Sequence, residues 1–242
     1  MRYIEIGNLP KLEFGVNEAM NTLATNLSFC GENIRTVLMT SRYANEGKSF
    51  VTVNLLRTLA SLQKRVVLLD TDLRCSKLVA NYQMRFPEGR QWGLAHYLAG
   101  MCELEDIIYE TNVNNAFVVP VGRRVSSSLQ LLSSSRMPVL MQALADMFDV
   151  VLVDAPPAGV IVDALEIAKY CDGALIVVAY NRGRKQDVKV VTDSIRKTGC
   201  PVLGSVLNSV DFNTLVSRRY YYRSERYASY YKGNYNPYLP QK

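Results

Sequence analysis

Thr36-Val37-Leu38-Met39-Thr40-Ser41-Arg42-Tyr43-Ala44-Asn45-Glu46-Gly47-Lys48-Ser49 leads from a short apolar run, through a loop, into a helix expected from about residue 48 to 62. An apolar run of that length reads as a buried strand. Strand, loop and a helix opening on Gly-Lys-Ser together read as a P-loop. The helix start presents free N–H groups and a positive dipole end to phosphate oxygens. Gly47 allows close backbone approach, Lys48 would bridge β- and γ-phosphates, and the Ser49 hydroxyl would ligate Mg²⁺. Asn45, Glu46 and Phe50 flank these as the remaining candidate nucleotide-binding residues. The pattern G-x-x-x-x-G-K-[ST] is incomplete, because Arg42 occupies its first glycine. Gly-Lys-Ser alone arises often by chance, so the neighbouring segments must decide between a P-loop and an ordinary helix start.

The next strand is Val66-Val67-Leu68-Leu69-Asp70, and it runs into Thr71-Asp72-Leu73-Arg74. Residues i and i+2 share a face in an extended strand, so Asp70 and Asp72 are expected to point together toward Lys48. Unpaired, the two carboxylates would repel, and a divalent cation such as Mg²⁺ resolves that conflict. A third segment, Val150-Val151-Leu152-Val153-Asp154-Ala155-Pro156-Pro157, is an apolar strand ending in a carboxylate, the Walker B form. Asp154 would hold Mg²⁺ through water or orient the nucleophile. Asn208, just past an apolar run at 202–207, is either an amide that reads the adenine edge or a turn asparagine. Three phosphate and metal elements in order point to nucleotide binding.

Outward from these motifs the chain alternates. Residues 16–29 read as an amphipathic helix with Met20, Leu23, Ala24 and Leu27 on one face. Residues 73–135 are less regular, with helices near 93–98 and 104–108 and a strand at 117–119. Ser126-Ser127-Ser128 and Ser133-Ser134-Ser135 mark loops or caps. Beyond them come a helix at 137–147, a strand at 150–153 and a helix at 163–170. A strand at 174–179, a helix at 186–198 and the strand at 202–207 follow. Continuously apolar strands between helices mean an α/β fold of P-loop NTPase type, a mainly parallel sheet covered by helices on both faces. Ligands in such sheets bind at the carboxyl ends of the strands, where the motifs fall. Residues 1–215 form the expected P-loop domain and 216–242 a tail.

Eight of the fifteen tyrosines lie in that tail: Tyr220, Tyr221, Tyr222, Tyr227, Tyr230, Tyr231, Tyr235 and Tyr238. Arg218, Arg219, Arg223, Arg226, Lys232 and Lys242 against Glu225 account for +5 of the formal +6 charge. The body is therefore nearly neutral, which argues against a nucleic-acid surface. The five cysteines are scattered and there is one histidine, so a zinc site or disulfide framework is not expected. No apolar run approaches the ~18 residues of a membrane span, and the N-terminus does not resemble a signal peptide, which makes a cytosolic location the default.

These residues together resemble the bacterial tyrosine kinases of capsule and exopolysaccharide synthesis. That pattern joins a Walker A loop, an Asp-x-Asp second motif, a Walker B strand ending Asp-x-Pro-Pro and a C-terminal tyrosine cluster. Here these are Asn45 to Ser49, Asp70 to Arg74, Asp154 to Pro157, and Tyr220 to Tyr238. The resemblance implies that Lys48 and Ser49 bind ATP·Mg²⁺, that Asp70 and Asp72 serve the metal and the attacking tyrosine, and that Asp154 completes the metal site. It implies phosphorylation of the eight tail tyrosines, in trans between neighbouring chains. It also implies a transmembrane polysaccharide co-polymerase as activator, a tyrosine phosphatase as counterpart, and peripheral association with the inner face of the membrane. The ring-assembly pattern Glu-x-x-Arg-x-x-Arg is reduced to Glu18, Asn21 and Ala24. Bidentate Arg–carboxylate contacts cannot form with those side chains, so a homo-oligomer would have to assemble without them. Two other readings share the fold. A Min/Par-type positioning ATPase carries a signature lysine where this chain has Tyr43, and lacks a tyrosine tail. A catalytically degenerate kinase would bind nucleotide and serve as a scaffold.

Overall fold

The computed structural model describes residues 2–86, 91–180, 182 and 184–210. The tail tyrosines lie outside the described residues. In chain order the elements are β1 (Arg2–Ile6), α1 (Phe14–Ser28), β2 (Thr36–Ser41), α2 (Lys48–Ser61), β3 (Val66–Asp70) and α3 (Leu78–Asn81). Then come β4 (Met84–Arg85), α4 (Leu94–Leu98), α5 (Leu104–Ile107), β5 (Tyr109–Thr111), β6 (Ala116–Val119) and α6 (Ser128–Leu132). The last third holds α7 (Arg136–Met147), β7 (Val150–Asp154), α8 (Asp163–Ala168), β8 (Gly173–Ala179), α9 (Lys185–Arg196) and β9 (Val202–Asn208).

The nine strands form one sheet in the order β4-β1-β5-β6-β3-β7-β2-β8-β9. The run from β6 to β9 is parallel throughout. Its central strands β2, β3 and β7 are buried almost without a break, as expected when helices cover both faces. One apolar layer packs α1, α2 and α3 against the sheet, and the other packs α4 to α9 against the opposite face. The register sets Asp70 at the end of β3 directly beside Asp154 at the end of β7, and Met39 of β2 beside Asp154 on the other side. All three motifs thus emerge at one edge, around the point where the chain crosses from β2 past β7 to β3.

Three short strands are additions to the sequence-based expectation. β1 pairs parallel to β5 and antiparallel to β4, and β5 pairs antiparallel to β6. Ile4 and Ile6 are buried while Tyr3 and Glu5 alternate with them, a period-two signal only five residues long. α1 begins two residues before the expected start, and its buried face holds Met20, Ala24 and Leu27. Asn21 lies on the exposed side, but Ala24 is 2% exposed. The two positions that lack the ring-forming arginines therefore differ. An arginine could be presented at position 21, whereas at position 24 it would be driven into the core. Ser127, Ser133 and Ser135 flank α6 and α7 as cap residues, in keeping with the serine signals.

Candidate functional site

The P-loop is held from inside by its own glutamate. Glu46 is 1% exposed; its Oε2 accepts the Tyr43 N–H at 2.7 Å, and its Oε1 accepts the Ala179 N–H at the end of β8 at 3.3 Å. As a ligand contact Glu46 therefore offers only backbone, because its carboxylate faces the sheet. From β9, Asn208 Nδ2 donates to the Glu46 carbonyl at 3.0 Å. The Asn208 amide thus braces the back of the loop. Asn45 sits at φ +61° and Gly47 at φ +83°, so the altered loop keeps its bend by placing asparagine in a left-handed conformation that asparagine tolerates. Arg42 Nη1 donates to the Gly159 carbonyl at 2.7 Å, tying the loop to the segment after β7.

A methyl group at Gly47 would lie 1.9 Å from Asn208 Nδ2, at a φ that L side chains rarely adopt. Gly47→Ala is expected to destabilise the protein by about 2–3 kcal/mol, from ~1–2 for the left-handed residue and ~1 for the displaced Asn208 bond. ATP affinity should fall at the same time. Urea melts and a nucleotide titration check both; an unchanged pair would remove Asn208 from the loop's support.

The cleft beside the loop has a volume of ≈ 580 Å³ and is lined by Asn45, Gly47, Lys48, Ser49 and Phe50 together with Asp70, Asp72 and Asp154. Among the described residues, the structure therefore brings together the sequence-identified nucleotide and metal candidates except Glu46 and Asn208, which support the loop from behind. Lys48 makes no ion pair among the described residues. Ser49 Oγ donates to Asp154 Oδ2 at 2.5 Å. Asp70 and Asp72 do not share a strand face as alternation predicts, because β3 ends at Asp70 and Asp72 lies in the turn beyond it. Asp70 Oδ1 accepts the Asp72 N–H at 3.2 Å, so the turn folds back on the first carboxylate and aims both into the cleft.

Two of the lining residues that sequence reasoning missed bear directly on the motif residues. Ser76 Oγ donates to Asp70 Oδ2, and the Tyr82 hydroxyl lies 3.4 Å from the Ser49 carbonyl oxygen. Neither stands in a motif; their only signal is proximity to Asp72 in the sequence. Burial and the nearby Asp154 charge push Tyr82 up to about 12.

The acids are held without a cationic neighbour strong enough to offset burial. Burial, then the Asp154 charge, raises Asp70 well above the usual carboxylate range. Burial raises Asp154 to about 6, against the opposing pull of the Ser49 hydroxyl and Lys48. Asp154 Oδ1 is buried with no hydrogen-bond partner. An orphaned carboxylate oxygen next to a second buried acid and a serine hydroxyl is a donor set that fits a hard divalent cation. Among the described residues no group of three or more His, Cys, Asp or Glu forms a complete metal cage. Mg²⁺ usually takes one or two carboxylates and fills its remaining positions with water and phosphate oxygens.

Comparison with known proteins agrees with this geometry. Residues 35–197 match the family model described as an AAA domain. The tyrosine-protein kinase CpsD of Streptococcus agalactiae is 33% identical over 194 residues, covering 80% of this chain and 82% of the relative. The kinase domain of Escherichia coli tyrosine kinase ETK superposes with a TM-score of 0.77 at 24% identity, covering 86% of this chain and 84% of that one. The Pyrococcus furiosus cell division ATPase MinD superposes with a TM-score of 0.61 at 28% identity, over 72% of this chain and 71% of that one. The shared fold alone does not separate kinase from positioning ATPase. The sequence relationship over four fifths of both chains does: this P-loop protein, with its nucleotide cleft at the carboxyl edge of the sheet, belongs to the bacterial tyrosine-protein kinase family.

Proposed function

We propose that the chain is an ATP-dependent protein-tyrosine autokinase. It phosphorylates the cluster Tyr220, Tyr221, Tyr222, Tyr227, Tyr230, Tyr231, Tyr235 and Tyr238, in trans between chains, and thereby regulates capsular or exopolysaccharide synthesis and export. The observation that carries this reading is the meeting of Lys48, Ser49, Asp70, Asp72 and Asp154 in one cleft with a free buried Asp154 oxygen. A degenerate scaffold would have no need to retain all five.

In this reading the first turn of α2 and Lys48 bind the ATP phosphates. Ser49 and Asp154, with Asp70, would hold Mg²⁺, whose chemistry is to neutralise charge that builds on the phosphates during transfer. Asp70 already accepts two hydrogen bonds, from Ser76 and from the Asp72 N–H. Asp72 is only half-buried and lines the cleft, so it is the carboxylate that accepts the proton of an entering tyrosine hydroxyl. The bond from γ-phosphorus to the bridging oxygen breaks, the bond to the tyrosine oxygen forms, and ADP leaves.

Among the described residues no helix is long and apolar enough to cross a membrane. Membrane association would come through a transmembrane polysaccharide co-polymerase that also activates the kinase, and a tyrosine phosphatase would reset the tail. The test is phosphotyrosine formation from γ-labelled ATP and Mg²⁺ on purified chain, with and without the cytoplasmic segment of that activator. Label in the tail supports the autokinase. ATP binding or hydrolysis with no phosphotyrosine under either condition refutes it in favour of a scaffold or positioning ATPase.

A further inference from the structure

The start of α9 and the segment leading into it carry cations that the nucleotide site does not use. Arg182, Arg184, Lys185 and Lys189 are all exposed, and none makes an ion pair among the described residues. The nearest acid in sequence, Asp187, is turned inward. Its Oδ2 accepts the Arg184 N–H at 3.2 Å, and its Oδ1 lies 3.7 Å from Arg42 Nε. Asp193, one turn beyond Lys189, makes no ion pair with it. Lys185 and Lys189 stand four residues apart on one helix, where like charges repel. Val190, 52% exposed, adds an exposed apolar side chain on the same helix.

We propose that this face receives the chain's own tail once the tail is phosphorylated, so that modification moves the tail from the cleft to α9. The inference rests on the reading of the tail as phosphoryl acceptor. Three observations select this occupant. β9 ends where the cationic run begins, since the Tyr180 N–H donates to the Asn208 carbonyl at 2.7 Å. Eleven residues lie between Asn208 and Tyr220, and such a segment spans up to ~40 Å when extended, ample for the ~6 Å rise from Lys185 to Lys189. Charge supplies the switch. Residues 218–226 hold Arg218, Arg219, Arg223 and Arg226 against Glu225, a net of +3, so the unmodified segment is repelled by α9. Phosphates on Tyr220, Tyr221 and Tyr222 add about −1.5 to −2 each and bring the segment to about −1.5 to −3. Arginine forks and lysines pair with phosphate oxygens through charge-assisted bonds, and Val190 offers the tyrosine ring an apolar contact.

The test uses full-length Lys48→Met chain, which cannot modify its own tail, and fluorescent synthetic peptides of residues 217–228. One peptide has Tyr220, Tyr221 and Tyr222 phosphorylated and the other has them unmodified. By anisotropy, the phosphopeptide should bind saturably and at least tenfold more tightly than the unmodified one. The charge reversal Arg182→Glu, Lys185→Glu, Lys189→Glu should weaken it at least tenfold. The glutamine set at the same positions should weaken it several-fold, with the melting temperature retained. Equal binding of both peptides overturns the proposal. So does phosphopeptide binding that survives charge reversal, which would place it on another basic segment such as the tail itself. Because the peptides are synthetic, these outcomes do not depend on catalysis; a wild-type chain that forms no phosphotyrosine counts instead against the autokinase reading.

Discussion

Lys48→Met is expected to lower phosphotyrosine formation in the tail by about 10²–10³-fold, the scale lost when one charge-stabilising donor leaves a transfer site. Phosphoryl transfer asks little of the protein beyond positioning and neutralising charge, and Lys48 is the motif cation in the cleft. Its removal should leave the fold nearly untouched. Lys48 makes no ion pair among the described residues, so no direct partner is stranded, and Asp154, whose burial already outweighs the pull of Lys48, keeps its Ser49 hydrogen bond. Methionine keeps most of the aliphatic stem. The melting temperature of the purified variant should therefore stay within a few degrees of wild type. Transfer from γ-labelled ATP and a thermal melt on the same sample separate the two effects. Persisting phosphotyrosine would sink the assigned site, and a collapsed melt would show that Lys48 supports the loop itself.

How far the sequence could be read depended on how local each cause was. β2, the P-loop and α2 form one continuous stretch whose strand, bend and helix each have a signal in adjacent residues. Asp154 was legible for the same reason, as a carboxylate closing an apolar strand. The pairing of Asp70 with Asp154 across β3 and β7 was not, because register is a tertiary property. The inward turn of Glu46 depends on the Ala179 N–H, 133 residues away, and the bracing role of Asn208 depends on a carbonyl 162 residues away. No spacing rule anticipates either. Ser76 reaches Asp70 only because the chain turns back after Asp72, which strand periodicity assigned to an extended segment. β1, β4 and β5 are two to five residues long, too short for alternation to stand out from chance. Ala24 shows how the helix pattern both helped and misled. Its place on the apolar face was readable, yet the ring-assembly pattern of the resemblance sets an arginine at the same position.

Asp154→Asn is expected to abolish transfer and yet stabilise the metal-free protein at neutral pH. Burial holds the Asp154 carboxyl at about 6 instead of 3.8. A folded-state value above the unfolded one means that the folded state binds the extra proton between those two pH values. The associated stability is fully present below about pH 4 and is lost as pH rises through about 6. That displacement corresponds to ~3 kcal/mol for ionising Asp154 in the folded protein at pH 7.5. Asparagine carries no charge and still offers an oxygen to Ser49. The variant should melt several degrees above wild type at pH 7.5, since ~1 kcal/mol shifts a chain of this size by about 2–4 °C. At pH 4 the two should converge. Asp70 shifts in the same direction through burial, so some fall in stability with rising pH persists in the variant, reduced because the neighbouring charge is gone. ATP with Mg²⁺ should reverse the order, raising the melting temperature of wild type more than that of the variant, because only the carboxylate gains a counter-charge. Scanning fluorimetry at pH 4, 5 and 7.5, with and without ATP·Mg²⁺, reads all of this. A variant less stable than wild type at pH 7.5 without ligand would mean that the buried carboxylate is already compensated inside the protein, and the argument that its free oxygen awaits a cation would fail with it.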